Sequence, residues 1–505
     1  MNISELLSRN ARKFKDKVGF VTPSERHTYG EVNEKVNCLA NALYKEGIGD
    51  GDKVILFTPN TMEFIFSYFA IQRLGAVAVP INAKLATEEI RYIVEHSEAK
   101  AFIGHELLWG QVEPLVEEAN LLWVSTGKNT DKWVNLNELI ENGYNKEIQS
   151  FKKEDDICTM LYTSGTTGKP KGVLLSNRNV LAVATMMCIE TGINDESTLL
   201  HMMPLSHSAP LNLFFVAGTY VGATHVLAPT FTPDLLLQLV SKEKVTHFFG
   251  APVAYLLTAK HPEIDKFNLS SVKRWVYGGA PLSNPEVQFV QSKFKTNDLM
   301  CVYGLTEAGP NGTFLSPEDH EEKAGSIGKR AALNCEIRIV NEKDEDVAVG
   351  EIGEIILRGE GNMVQYYKDP EKTAETIRNG WLYTGDMGRV DDDGFFWVVD
   401  RKKDMILSGG VNIYPKEIED ALRTHPEIED VAVIGVPHPE WGETVKAYVT
   451  ASQPINDLET SCNSYLANKV AKFKIPRIYE QIEELPRNAT GKILKHHLRE
   501  EGIKS

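Results

Sequence analysis

The order of apolar runs predicts an α/β protein with a large N-terminal domain of mainly parallel sheets covered by helices and a small α+β C-terminal domain. Two features carry that expectation. Short β-branched runs alternate with longer amphipathic ones over most of the chain. Near residue 390 the alternation gives way to a hairpin-like turn followed by a dense cluster of opposite charges.

Taken in order, DKVILFTP from residue 52 reads as a strand, NTMEFIFSYFAIQRLG as a helix, AVAVPI as a strand, TEEIRYIVEHS as a helix and AKAFIG as a strand. LLLQLVSKEK then VTHFFG repeats the pattern. VKRWVY then NPEVQFVQSKF repeats it again, with Asn284 suited to cap the helix and Pro285 to its first turn. In such sheets ligands bind beyond the carboxyl ends of the strands, so functional residues are expected in those loops. The run GRVDDDGFFWVVDRKKD predicts a turn at Asp393-Gly394 and a domain boundary, giving a large domain over 1–402 and a small one over 403–505. In the small domain PKEIEDALRTHP predicts a helix, VAVIGV and KAYVTA strands, and SCNSYLANKV a last helix.

A chain of 505 residues is several times the size of one hydrophobic core, so two or more domains are the default. With 54 Lys and Arg against 70 Asp and Glu, the net charge of −16 argues against a surface that tracks nucleic-acid phosphates. Anionic ligands must then be met by local basic groups. The six cysteines contain no CxxC pair, which disfavours a disulfide framework or a zinc site. The N-terminal run MNISELLSRNARKFKDK has no apolar core of a signal peptide, and the expected location is the cytoplasm. Polar residues interrupt the two most apolar stretches, Phe64 to Asn82 and Leu211 to Pro229, so neither reads as a membrane span.

The most informative run is Tyr162-Thr163-Ser164-Gly165-Thr166-Thr167-Gly168-Lys169-Pro170-Lys171-Gly172, between two strand-like segments. Glycines let backbone approach an anion, consecutive amides and hydroxyls donate to it, and two lysines supply charge. The same composition would also suit a flexible hairpin loop. It is not a Walker A loop, because Pro170 follows Lys169 and no glycine stands five positions before Gly168.

This run resembles the phosphate-binding loop of the adenylate-forming superfamily, which includes acyl-CoA synthetases, peptide-synthetase adenylation domains and beetle luciferases. Five further segments match that superfamily in the same order: YGGAPL at 277–282, YGLTE at 303–307, WLYTGDMG at 381–388, DRKKDMILSGGVNIYPKEIE at 400–419 and PRNATGKILK at 486–495. Together they span most of the chain and point to the acyl-CoA synthetase branch. The departures are small: Arg330 stands where many relatives have proline, and Asn341 where aspartate is common.

The resemblance implies ATP, Mg²⁺ and the co-substrate coenzyme A, and assigns residues to each. Thr163, Ser164, Gly165, Thr166, Thr167, Gly168 and Lys171 would cradle the phosphates, with Thr166 among the catalytic groups. Tyr303 and Gly304, with the turn Gly278, Gly279 and Ala280, would hold adenine, although a strand tyrosine is more often a core aromatic. Thr306 and Glu307 would follow the base, with Glu307 as the metal ligand, since hard cations take oxygen donors. Asp386 offers two acceptor oxygens for ribose hydroxyls, and Arg401 a planar fork for ribose or α-phosphate. Lys403 corresponds to the hinge of a mobile small domain.

Lys492 has the sharpest chemical role. A carboxylate approaching the α-phosphate meets a repulsion of about 4 kcal/mol at roughly 4 Å and an effective dielectric near 20. A positioned ammonium offsets it as charge develops. By the resemblance, rotation of the small domain then replaces Lys492 with the 408–412 loop, where Gly409 and Gly410 would approach the pantetheine arm or simply form a turn. His207, in Pro-Leu-Ser-His at 204–207, would gate the carboxylate or serve as a structural histidine.

Leu211 to Val216 and Val253 to Leu257 could wall an apolar pocket and hold no basic residue for a second carboxylate. The expected substrate is a medium- or long-chain fatty acid, with an aryl acid of the benzoate or cinnamate type next. No carrier module follows the last motif and no insertion interrupts 325–386, which disfavours a peptide-synthetase domain and an acyl-AMP ligase. A luciferase-type oxidation and a non-catalytic nucleotide-binding relative stay open. So do chain length, peripheral contact with a membrane, and oligomeric state, a homodimer among the options.

Overall fold

A computed structural model of the chain describes residues 1–127, 132–149, 151–163, 169–467, 469–487 and 493–502. Chain packing divides it into two units, one of Met1–Ile337 with Ile356–Tyr383, the other of Arg338–Ile355 with Thr384–Ser505.

Among the described residues, the first unit holds an eight-stranded and a nine-stranded sheet. The alternation read from residue 52 appears as the strand Lys53–Phe57, helix Met62–Arg73, strand Val77–Pro80, helix Thr87–Ser97 and strand Ala101–Gly104. Lys53–Phe57 lies between the other two strands, parallel to both, as strand–helix–strand connections require. Residues 198–201, 247–250, 274–278 and 299–303 run parallel in the nine-stranded sheet. Antiparallel pairs close the margins, including Ile157–Thr163 with Lys171–Ser176 and Leu299–Tyr303 with Thr313–Leu315.

Three local expectations change. The helix Met62–Arg73 is buried on every face, so its pattern is not amphipathic. Its Arg73 guanidinium donates to Ser8 Oγ at 2.9 Å, Asn33 Oδ1 at 3.0 Å and Asn37 Oδ1. The helix Asn284–Phe294 is capped by Ser283 rather than Asn284, and the Glu286 carboxylate accepts from the Ser283 N–H at 2.7 Å. In the second unit, the helix Leu458–Leu466 is followed by another at Lys495–Gly502, so SCNSYLANKV is not the last helical segment.

The second unit contains the hairpin around Asp393-Gly394, whose arms pair from Val390 with Phe396 to Asp386 with Arg401. It also holds a five-stranded sheet, among the described residues, built on Asp430–His438 and Gly442–Thr450. The helices Pro415–Leu422 and Leu458–Leu466 bury Ile418, Leu422, Cys462 and Leu466 against that sheet's Val431, Val433, Val445 and Val449. All six cysteines are free. Among the described residues no helix is long and apolar enough to cross a membrane.

Candidate functional site

In the first unit the predicted residues gather at the carboxyl ends of strands. Thr163 ends Ile157–Thr163, Gly278 ends Arg274–Gly278 and Tyr303 ends the neighbouring Leu299–Tyr303. His207 follows the end of Thr198–His201. Parallel strands leave their loops on this side, which is why motifs far apart in sequence share it.

Tyr303, Gly304, Thr306 and Glu307 are half-buried, while Gly279 and Ala280 are exposed. Gly304 has no room for a side chain, because a Cβ there would sit on the Pro310 carbonyl oxygen. Glu307 lies in the short turn Thr306–Ala308, and its carbonyl accepts from Met363 N–H at 2.7 Å. Its carboxylate Oε1 accepts from the Tyr366 phenol at 2.8 Å. The Lys171 ammonium stands 5.1 Å from the centroid of the Tyr366 ring. Burial and the neighbouring Lys372 hold the Lys171 pKa below its ordinary value, with Glu307 acting the other way. Tyr366 thus brings the phosphate-loop lysine and the expected metal ligand together. Burial, and then the Glu307 charge, push its own pKa up.

His207 and Thr306 belong to one neighbourhood, because Ser208 Oγ and Thr306 Oγ1 lie 3.0 Å apart. The His207 segment is clamped by Asn60, whose amide donates to the carbonyls of His201 at 3.1 Å and Met203 at 2.9 Å and accepts from Leu205 N–H at 2.9 Å. The His207 ring meets Asn82, with Nδ2 of the amide 2.8 Å from Nε2. Burial pulls the His207 pKa down to about 4, so the ring is neutral near pH 7. Leu211 to Val216 are buried, and Phe214 stacks on Phe249 with centroids 5.1 Å apart. The second expected wall is different: Val253 and Leu257 are exposed, and only Ala254 and Tyr255 of that stretch are buried.

In the second unit Asp386 is buried, and its Oδ1 lies 2.6 Å from Arg401 Nε, the two being direct partners across the hairpin. The Asp386 backbone N–H donates to Thr384 Oγ1 at 3.0 Å, and Glu354 accepts from Gly385 N–H at 3.1 Å and Lys402 at 2.8 Å. Burial lowers the Lys403 pKa. Gly409 and Gly410, at φ +58° and +81°, form the two-residue loop joining Ile406–Ser408 to Val411–Ile413. Ser164, Gly165, Thr166, Thr167, Gly168 and Lys492 lie outside the described residues.

Two contacts were absent from the sequence reading, Tyr366 on Glu307 and Asn82 on His207. Asn82 stands beyond a predicted strand end, which was the available signal for it; Tyr366 had none. The Glu307 neighbourhood fits a magnesium ion bound together with nucleotide phosphates. One carboxylate with a fixed donor on one oxygen, a nearby hydroxyl and water are what such an ion takes. Among the described residues no group of three or more His, Cys, Asp or Glu is arranged to hold a metal by itself.

The family model described as AMP-binding enzyme matches residues 7–367, and that of the AMP-binding enzyme C-terminal domain matches 417–492. The chain is 35% identical over 474 residues to a feruloyl-CoA synthase of Amycolatopsis sp, covering 94% of this chain and 93% of that protein. It is 32% identical to a long-chain-fatty-acid–CoA ligase of Bacillus subtilis (strain 168), covering 99% and 94%. The solved structure of the anthranilate CoA ligase AuaEII with anthranoyl-AMP superposes with a TM-score of 0.90 at 28% identity, covering 100% of this chain and 98% of that one.

Proposed function

The chain belongs to the AMP-binding enzyme family, and from that premise we propose that it activates a medium- or long-chain fatty acid with the residues grouped above. It is an AMP-forming acid–CoA ligase. A carboxylate oxygen of the acid attacks the α-phosphorus of ATP and pyrophosphate leaves. The CoA thiol then gives up its proton and attacks the acyl carbon, and AMP departs with the electrons of the broken anhydride bond.

In this reading Tyr303, Gly304 and the 278–280 turn hold adenine, Asp386 and Arg401 bind the ribose, and the 163–168 loop with Lys171 takes the phosphates. Thr306 follows the base, and Glu307 would hold Mg²⁺, which when bound offsets the charge of the phosphates. His207 orients the acid, Lys492 assists adenylation, Lys403 is the hinge, and the 408–412 loop meets CoA. Six free thiols agree with a reducing cytoplasm, where ATP and CoA are both supplied.

The reading of the substrate class rests on the buried stretch Leu211–Val216 that follows His207, in which Asn212 is the one polar side chain and no residue is a cation that could pair with a second carboxylate. An apolar wall stabilises a chain by about 0.8 kcal/mol per methylene, so kcat/KM should rise about fourfold per added CH₂ until the site is full. The aryl reading draws on the stacked Phe214 and Phe249 and on the 35% identity to a feruloyl-CoA synthase. A panel of linear fatty acids and hydroxycinnamates, scored by CoA-dependent AMP release, decides. Flat chain-length dependence with hydroxycinnamates best would replace the fatty-acid reading, and no release with any acid would remove both.

A further inference from the structure

Asn82 carries a relationship that the ligase reading does not use. It follows the strand Val77–Pro80 of the eight-stranded sheet, whereas His207 follows Thr198–His201 of the nine-stranded sheet. Their side chains meet at 2.8 Å, 125 positions apart in sequence, and Asn82 is buried.

The amide of Asn82 has one workable orientation. Its Oδ1 accepts from the Lys84 backbone N–H at 2.8 Å. A flipped amide would set an NH₂ against that N–H, two donors facing each other. The group facing His207 is therefore Nδ2, which can only donate. An imidazole nitrogen that receives a hydrogen bond carries no proton, so Nε2 is the acceptor and the ring proton resides on Nδ1. A doubly protonated ring would place N–H against NH₂, so the same contact disfavours the cation.

We propose that Asn82 is a positioning residue that fixes His207 as the neutral Nδ1–H tautomer and leaves Nδ1–H as the ring's single donor to the substrate carboxylate. The part concerning the carboxylate rests on the ligase reading above. A neutral donor orients a carboxylate oxygen without neutralising it, so its electrons remain available for attack on phosphorus. A full positive charge at that point would hold the carboxylate back.

The test uses full-length protein labelled with ¹⁵N-histidine, with the His207 resonances identified by their loss in His207→Gln. At neutral pH the expected pattern is a protonated Nδ1 and an unprotonated Nε2. Asn82→Asp places an acceptor against Nε2 and should move the proton there. Its kcat/KM for the acid should fall roughly 10–100-fold, the scale of one hydrogen bond to a charged group, while KM for ATP stays within twofold (~2×) because no nucleotide contact is touched. If Asn82→Asp does not fold, Asn82→Ser, which can donate or accept, should give a mixture of tautomers. A protonated Nε2 in the unsubstituted protein overturns the proposal. A moved proton with unchanged acid kinetics overturns the positioning role. If the spectrum is as expected but no acid supports AMP release, the ligase reading fails and the tautomer assignment stands.

Discussion

The phenol of Tyr366 donates to Oε1 of Glu307 across 2.8 Å, joining residues 59 positions apart. The bond fixes the carboxylate rotamer and leaves Oε2 as the freer oxygen. Removing such an outer partner typically costs 10–100-fold in metal affinity. Tyr366→Phe should therefore raise the Mg²⁺ concentration for half-maximal adenylation by about 10–100-fold, with activity recovering at high Mg²⁺. Mn²⁺ titration by electron paramagnetic resonance in the presence of a non-hydrolysable ATP analogue should show the same weakening. Unchanged affinity would make the contact purely structural.

Asp386→Asn removes the charge that faces Arg401 and turns one acceptor into a donor. KM for ATP should rise roughly 10–100-fold, the range for a hydrogen bond to a charged group. Arg401→Lys should not restore the geometry of a planar fork. Steady-state kinetics with varied ATP measure both, and an unchanged KM would remove the ribose assignment.

Lys492→Ala should slow adenylation by about 10²–10³-fold, as when one donor to developing charge is lost. Thioester formation from supplied acyl-AMP should change much less. Single-turnover measurement of the two half-reactions separates them, and equal losses would contradict the assignment.

Arg73 is a stability prediction far from the chemistry. Its guanidinium is buried, burial lowers its pKa to about 10, and it donates to Ser8, Asn33 and Asn37. Arg73→Met keeps most of the volume but leaves amide acceptors without their donor, a cost of about 1–3 kcal/mol. Arg73→Ala adds a cavity and should cost more. Urea unfolding midpoints should fall in that order, and equal midpoints would show that the packed stem contributes nothing.

Buried histidines, His201, His207 and His247 among them, contribute to the acid response, and burial lowers His225 and His320 as well. Burial lowers the pKa of His201 to about 3 and of His207 and His247 to about 4, against an ordinary value near 6.5. Between those values the unfolded chain binds protons that the folded chain refuses, so stability rises with pH there. It should be fully present above about pH 6.5 and fall as the pH drops toward 4. Denaturant midpoints measured across that window should decline, and replacing His247 by Gln should shallow the slope.

The alternation of strands and helices was legible because periods of two and 3.6 leave different apolar spacings. The surroundings defeated finer reading. Helix Met62–Arg73 is buried all round, so its apolar residues carry no face, and its one cation is satisfied by the amides of Asn33 and Asn37 on one neighbouring helix and the Ser8 hydroxyl on another. Ser283 outcompetes Asn284 as the cap because Glu286 stands three residues after it. The nucleotide motifs announced themselves by residue type and order. Asn82 and Tyr366 did not, since each acts on a residue brought close only by the sheets. Val253 and Leu257 were apolar enough to suggest a pocket wall, but apolar character alone does not decide which way a side chain faces.

The hairpin that sets Asp386 opposite Arg401 has a consequence for how this segment can evolve. Side chains alternate across a strand, so shifting one arm by a single position would turn its member of the pair to the opposite side. Residues 391–395 are therefore constrained in number and partly in type, since the Asp391 carboxylate accepts from the N–H groups of Asp393 and Phe395 and Phe395 is buried, and lineages that lengthen this turn must do so without disturbing the phase of either arm.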